Sequence, residues 1–264
     1  KSMPIEKIAP ILAELHAPLG VYAVLGNHDW RRDGVRIADV LQKHGIEVLE
    51  NENRRIDRSG GSFWLAGLAD CNMRRPDVHR ALENAGNPVL VITHSPDIFP
   101  QVPERAALTL AGHTHGGQVA LPWLGALLVP SVFGKRYEGG LTAENGKRLL
   151  VSRGLGTSLL PVRFNCRPEI VVVEFESLKR RSDRFFGLFG VEIKAPAVKI
   201  YQRQQIAPCN VAFADFYPVD YFRFKACTAG DVFQGQLLVV PPGKELQTQA
   251  AAQNAARVFR TRDV

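Results

Sequence analysis

Three segments share one layout: VYAVLGNHDW from Val21, VLVITHSPD from Val89 and LTLAGHTHGG from Leu108. Each places a short apolar, β-rich run directly before a loop that carries histidine or asparagine. Apolar runs bounded by Gly or Pro read as buried strands. Loops that leave such strands in an open α/β sheet are where ligands gather, because the sheet holds them in place while they stay accessible. This layout constrains the chain more than any other feature. It requires several strands to end on the same side, and it delivers Asn27, His28, Asp29, His94, His113 and His115 there. Of the seven histidines, four therefore sit at strand exits.

The rest of the pattern supplies the layers. Ile5, Ile8, Ile11, Leu12 and Leu15 predict a helix over 5–16, with Pro10 inside it. A second helix is predicted over 33–44, closed by Gly45, and a third over 75–85, with Pro76 near its start. Strands are expected at 21–25, 46–49, 62–68, 89–93, 107–110, 149–152 and 170–175. Helices alternate with strands early and strands dominate later, which indicates an α/β sandwich with a mixed sheet. Past Glu176 the texture changes. Lys179, Arg180, Arg181 and Arg184 cluster before Phe185, Phe186, Leu188 and Phe189. Short strand-like pieces at 198–201 and 237–240 follow, and the chain ends rich in Ala and Gln. Residues 1–176 are therefore taken as one domain and 177–264 as an extension.

Composition closes off other classes. Hydrophobic residues make up 45% and charged residues 22%, enough apolar surface to offset chain entropy, so a disordered chain is excluded. The longest apolar stretch free of charge, Val119 to Gly134, is shorter than the roughly 20 residues of a membrane span and contains Pro122 and Pro130. No long apolar run follows Lys1, so no signal peptide is expected in these residues. The four cysteines, Cys71, Cys166, Cys209 and Cys227, form no CxxC pair and are expected as free thiols. A net charge of +7 permits phosphates, nucleic acid or acidic membranes as partners without choosing among them.

Imidazole nitrogens and a neutral amide oxygen are transition-metal ligands. His113 and His115 are one residue apart. In an extended segment they would point apart, serving two ions or one. Gly112, Gly116 and Gly117 allow unusual backbone angles beside them. A lone histidine after a strand is commonly structural, and Gly-Asn alone is good turn chemistry. The three segments in this order go beyond either reading.

GNHD, then a single histidine after a strand, then GHTH, resembles the calcineurin-like metallophosphoesterases over residues 1 to about 175. GHTHGGQ and SRGLGTS…PVRFNCRPEI resemble the bacterial branch of UDP-2,3-diacylglucosamine hydrolases. The resemblance implies a four-layer α/β/β/α sandwich and a dinuclear site with two divalent metal ions such as Mn, Fe or Zn. Asn27, His94 and His113 would hold one ion and His115 the other. His28 would sit beside the phosphate as acid or charge stabiliser, with Asp29 orienting its ring. The implied reaction is hydrolysis of a phosphate ester or pyrophosphate by metal-bound hydroxide, because two cations can activate water and neutralise the phosphoryl oxygens.

The implied partner is a phosphorylated small molecule or a lipid-linked substrate such as a sugar-nucleotide lipid precursor. Nucleic acid is not the expected partner, although a nucleic-acid phosphodiesterase and a catalytically dead binding module with the same fold are the alternatives. The family pattern also has DxH and GDxxD motifs before GNHD. Residues 1–26 contain no aspartate. The chain is therefore expected to be a fragment that turns over weakly, since a bridging carboxylate anchors metal binding. Asp77-Val78-His79 spells DxH but falls in a predicted helix and is expected to be structural.

Softer readings remain. Arg153-Gly154-Leu155-Gly156 fits a tight turn or an anion pocket. Trp123 to Phe133 fits core packing or an apolar wall for a lipid tail. Lys179 to Phe189 fits a peripheral membrane contact, or more plainly a charged linker with packed aromatics. Asp70, at the end of a strand, fits a supporting place beside the site.

Overall fold

The computed structural model describes residues 3–58, 61–158 and 161–176, together with the backbone of three later strands. Two six-stranded sheets form the body. The first holds β1 (Val21–Ala23), β2 (Ile46–Val48), β11 (Ile170–Glu176), β12 (Val198–Arg203), β13 (Tyr221–Cys227) and β14 (Leu238–Val240), in the order β12-β11-β13-β14-β1-β2. The second holds β3 (Glu52–Arg58), β4 (Gly61–Gly67), β5 (Val89–Ile92), β6 (Ala106–Ala111), β9 (Gly140–Glu144) and β10 (Lys147–Val151), in the order β3-β4-β5-β6-β10-β9. A two-stranded ribbon, β7 (Ala120–Leu121) and β8 (Gly125–Ala126), stands apart from both.

Side-chain alternation explains why the sheets stack. Tyr22 and Val24 turn inward and join Phe63, Leu65, Leu90, Ile92, Leu108, Leu110, Val171 and Val173 in one buried cluster between the sheets. Val21, Ala23, Ile46 and Val48 turn outward, where Ile5, Ile8, Ile37 and Leu41 cover them from α1 (Ile5–Leu12) and α2 (Asn27–Lys43). On the far side, Ala66, Val89 and Val91 meet Leu82, Ile98 and Val102, with α3 (Val78–Ala81) in that layer. A period-two strand with both faces apolar needs a cover on each side. The result is the expected α/β/β/α layering.

The helices depart from the sequence expectation in instructive ways. α1 stops at Leu12 rather than 16: Ala13 N still donates to Ala9 O, and tight turns from Glu14 N to Ile11 O and Leu15 N to Leu12 O follow. α2 begins at Asn27, six residues early, and breaks at Asp33, whose φ is −168°. There Asp33 Oδ1 accepts from Arg36 N, so this residue caps a second run that matches the predicted helix over 33–44, while a separate first run starts at GNHD. α3 is only one turn. Asp77 caps it by accepting from Arg80 N. Asn53 then takes the carbonyls of Ala81 and Glu83, and Arg105 those of Leu82 and Ala85, so side chains replace further helical bonds. Two edge strands, β3 and β9, escaped the sequence reading because their polar residues hide the alternation; Ile56 is the one buried residue of β3.

The backbone of β12, β13 and β14 pairs antiparallel within the first sheet: β11 lies between β12 and β13, and β14 bridges β13 and β1. The Lys179–Phe189 segment lies outside the described residues. No helix among the described residues is long and apolar enough to cross a membrane. Cys71 and Cys166 are free thiols; Cys209 and Cys227 have no described side chains.

Candidate metal centre

β4, β5, β6 and β10 run parallel, so their C-terminal ends fall on one side. The backbone locks the outgoing loops together: Leu68 N donates to Ile92 O, Gly112 N to His94 O, and Ser152 N to Ala111 O. β4 thereby leads to Asp70, β5 to His94, and β6 to His113 and His115. Asn27 arrives from the facing sheet, just past β1. It lies at the start of α2, where Gly26 N donates to Asp29 Oδ2 at 2.9 Å and fixes the turn. That capping bond occupies one oxygen of the buried Asp29 carboxylate.

Three of the four expected ligands converge. Asn27 Oδ1 and His94 Nε2 are 3.0 Å apart, and both residues are buried. The His94 and His113 rings lie 4.5 Å apart, edge to face. A 3.0 Å separation is the edge of an octahedron whose centre lies about 2.1 Å from each donor, a normal ligand distance for a small divalent cation. An amide oxygen and imidazole nitrogens are donor types that suit a cation of the Mn, Fe or Zn type. The set is one amide and two imidazoles. Among the described residues no group of three or more His, Cys, Asp or Glu side chains is arranged to hold a metal ion.

His115 occupies the same loop. Its carbonyl accepts from Arg163 Nη1 and Cys166 Sγ, and its Nδ1 lies 3.4 Å from Arg163 Nη2. The loop is not extended as supposed for His113 and His115. Both adopt left-handed backbone, φ 69° and 51°. Gly116 and Gly117 are left-handed too; a Cβ on Gly117 would stand 2.3 Å from Ala126 Cβ. His28 lies close enough to His113 for their charges to interact.

Two residues matter more than the sequence suggested. Asp70 is fully buried, with Oδ1 3.9 Å from His94 Nε2 and Oδ2 accepting from the backbone of Asn72 and Met73. Burial raises its pKa, and those hydrogen bonds oppose the rise. Its signal was its place at a strand exit, like the histidines. Arg163 donates to the carbonyls of Arg153, Gly154, Gly156, His115 and Cys166. The RGLG segment is thus a turn wrapped around a guanidinium, and the anion-pocket reading gives way because its carbonyls face this cation. Nothing local in the sequence marks Arg163 as that partner.

Burial lowers the His113 pKa to about 4, with His28 adding to the shift and the Asp97 carboxylate and the Pro130 backbone opposing it. A neutral imidazole is ready to ligate at neutral pH. The sign for stability follows. Below about 6.5 the unfolded chain takes up a proton that folded His113 refuses, so stability is full above that pH and falls as pH drops toward about 4. Urea midpoints of the metal-free chain should decline across this window, and His113→Asn should remove part of the slope. An equal slope in the variant would contradict the assignment.

Fold and site together define a two-sheet sandwich that gathers neutral nitrogen and oxygen donors at the ends of parallel strands. The chain belongs to the calcineurin-like metallophosphoesterase superfamily. It is 32% identical over 177 residues to the uncharacterized metallophosphoesterase YkuE of Bacillus subtilis, covering 65% of this chain and 62% of that one. It is 35% identical over 178 residues to the phosphodiesterase YaeI of Escherichia coli, covering 66% and 64%. An uncharacterized metallophosphoesterase of Aquifex aeolicus is 32% identical over 177 residues, covering 64% and 66%. The chain thus spans just under two thirds of the length of these relatives. No protein-family model matches it, and no solved structure matches it.

Proposed function

We propose that the chain carries the site of a metal-dependent phosphoesterase. The observation that supports this reading is the convergence of Asn27 Oδ1, His94 Nε2 and the His113 ring at one set of strand ends. Those three residues hold one divalent cation, and His115 contributes to a second. A bound cation supplies Lewis-acid charge against the phosphoryl oxygens. His28, next to His113, donates a proton to the leaving oxygen or steadies charge there, and Asp29 fixes the turn that orients it. Asp70, whose Oδ1 lies 3.9 Å from the same His94 Nε2, adds negative charge on the ligating side of that ring. The substrate class is a phosphorylated small molecule, and the YaeI relative's description as a phosphodiesterase favours a diester. The finer reading, drawn from the GHTHGGQ resemblance, is a lipid-linked sugar nucleotide.

Within these 264 residues turnover is expected to be weak, because residues 1–26 offer no aspartate to bridge two cations. The test is manganese-dependent hydrolysis of bis-p-nitrophenyl phosphate, with manganese binding followed in parallel. Turnover should vanish with a chelator. His28→Ala should lower it roughly 100-fold or more while leaving manganese affinity nearly unchanged. Turnover indifferent to chelator would refute the proposal. Manganese binding without any turnover would favour the binding-module alternative.

A further inference from the structure

Between the metal-site loop and β9 the chain makes an apolar projection. β7 and β8 form a short hairpin with Trp123 in its turn, at φ 62° and fully exposed. Leu124, Leu127, Leu128 and Val132 follow, each more than half exposed. This overturns the core-packing reading for most of Trp123 to Phe133; Ala126 is buried, and Phe133 meets Tyr137 edge to face at 5.2 Å. Val162 and Phe164, both about half exposed, extend the patch, since Ala120 N donates to Phe164 O. Large apolar side chains clustered in water are costly and mark a contact surface.

Charge identifies the partner. Residues 118–137 and 153–168 contain no Asp or Glu. Lys135 folds back so that its Nζ donates to Leu124 O at 2.7 Å, which sets a cation against the hairpin turn. Arg167 is exposed at the edge of the second segment. Arg136 is matched by Glu144 and adds little. An indole at the tip, aliphatic side chains around it and rim cations without an ion-pair partner among the described residues suit the interface of an anionic bilayer.

The base is firmly held. Asp97 accepts from Ser131 Oγ and Val132 N, and the Pro130 backbone hydrogen-bonds the His113 ring. The projection therefore cannot swing independently of the metal centre.

We propose that the Trp123–Val132 projection docks the protein on anionic lipid surfaces, bringing the His113 loop to the membrane interface. This does not depend on the hydrolytic reading, because vesicle binding is measured without turnover.

The test is flotation of the full chain with two kinds of vesicle, phosphatidylcholine alone and phosphatidylcholine with phosphatidylglycerol. The chain should float with the anionic vesicles at least about tenfold more than with neutral ones, and less as salt rises. The Trp123→Ser/Leu128→Ser double variant should lose roughly tenfold in binding while keeping its circular dichroism and melting temperature, since both side chains are exposed. Lys135→Gln should weaken binding to anionic vesicles alone. Quenching of tryptophan by brominated lipid should disappear in Trp123→Phe. Absence of flotation, or flotation unchanged in the double variant, would overturn the proposal. So would concentration-dependent self-association that the double variant abolishes, which would assign the patch to a second copy of the chain.

Discussion

His94→Ala should lower the affinity of the chain for manganese by at least about 100-fold, since removing even a hydrogen-bond partner of a ligand costs 10–100-fold. The imidazole is 1% exposed and sits between Asn27 Oδ1, the His113 ring and the Asp70 carboxylate. The loss should also leave Asp70 buried without its facing imidazole, so the variant should not recover affinity at higher pH. Titration calorimetry or the manganese paramagnetic signal reads the effect. Affinity within about threefold of the parent would show that His94 is a structural histidine that merely accompanies Asn27. His79→Ala, on the one-turn helix capped by Asp77, should leave manganese affinity unchanged, because this DxH serves the helix.

Phe99→Ala is expected to cost about 3–5 kcal/mol of stability, the usual range for emptying a fully buried aromatic site. Phe99 is wholly buried and meets Tyr137 edge to face at 5.7 Å. Lys147 Nζ lies 5.0 Å over its ring while donating to the carbonyl of Phe99 itself and that of Pro100. The cluster it anchors includes Ala111, Leu149 and Val151, at the ends of the two strands that launch the GHTH and RGLG loops. Collapse is difficult there because β6 and β10 are paired in register on both sides of the gap. Urea unfolding at neutral pH should show a lower midpoint with an unchanged slope. A loss below about 1 kcal/mol would mean that the cluster repacks and that the loops are positioned by hydrogen bonds alone.

What could be read from the sequence followed from periodicity and from punctuation. The runs before Asn27, His94 and His113 are apolar on both faces because both faces are covered, so the strands and the strand-exit residues were legible together. Edge strands such as β3 were not, since ENRRIDR shows no apolar alternation when its outer groups meet solvent. The early start of α2 was hidden because Asn27 is a donor toward the site and a helix residue at once, and Asp29 caps from within. Asp70 and Arg163 illustrate a further limit. A carboxylate facing an imidazole at 3.9 Å, and a guanidinium shared among five carbonyls, are products of loops meeting in space. The strand-exit position marked Asp70 as a neighbour of the site, but nothing along the chain marks the partners of Arg163. The apolar stretch around Trp123 was visible as composition, yet whether it faced the core or water depended on the hairpin that β7 and β8 make.

The proposed site rests on one arrangement, the meeting of Asn27, His94 and His113 at one set of strand ends. Anomalous diffraction from a crystal of the chain equilibrated with manganese tests it directly. The expected result is a single strong peak within bonding distance of Asn27 Oδ1, His94 Nε2 and a ring nitrogen of His113. A peak elsewhere, or none at saturating manganese, would contradict it.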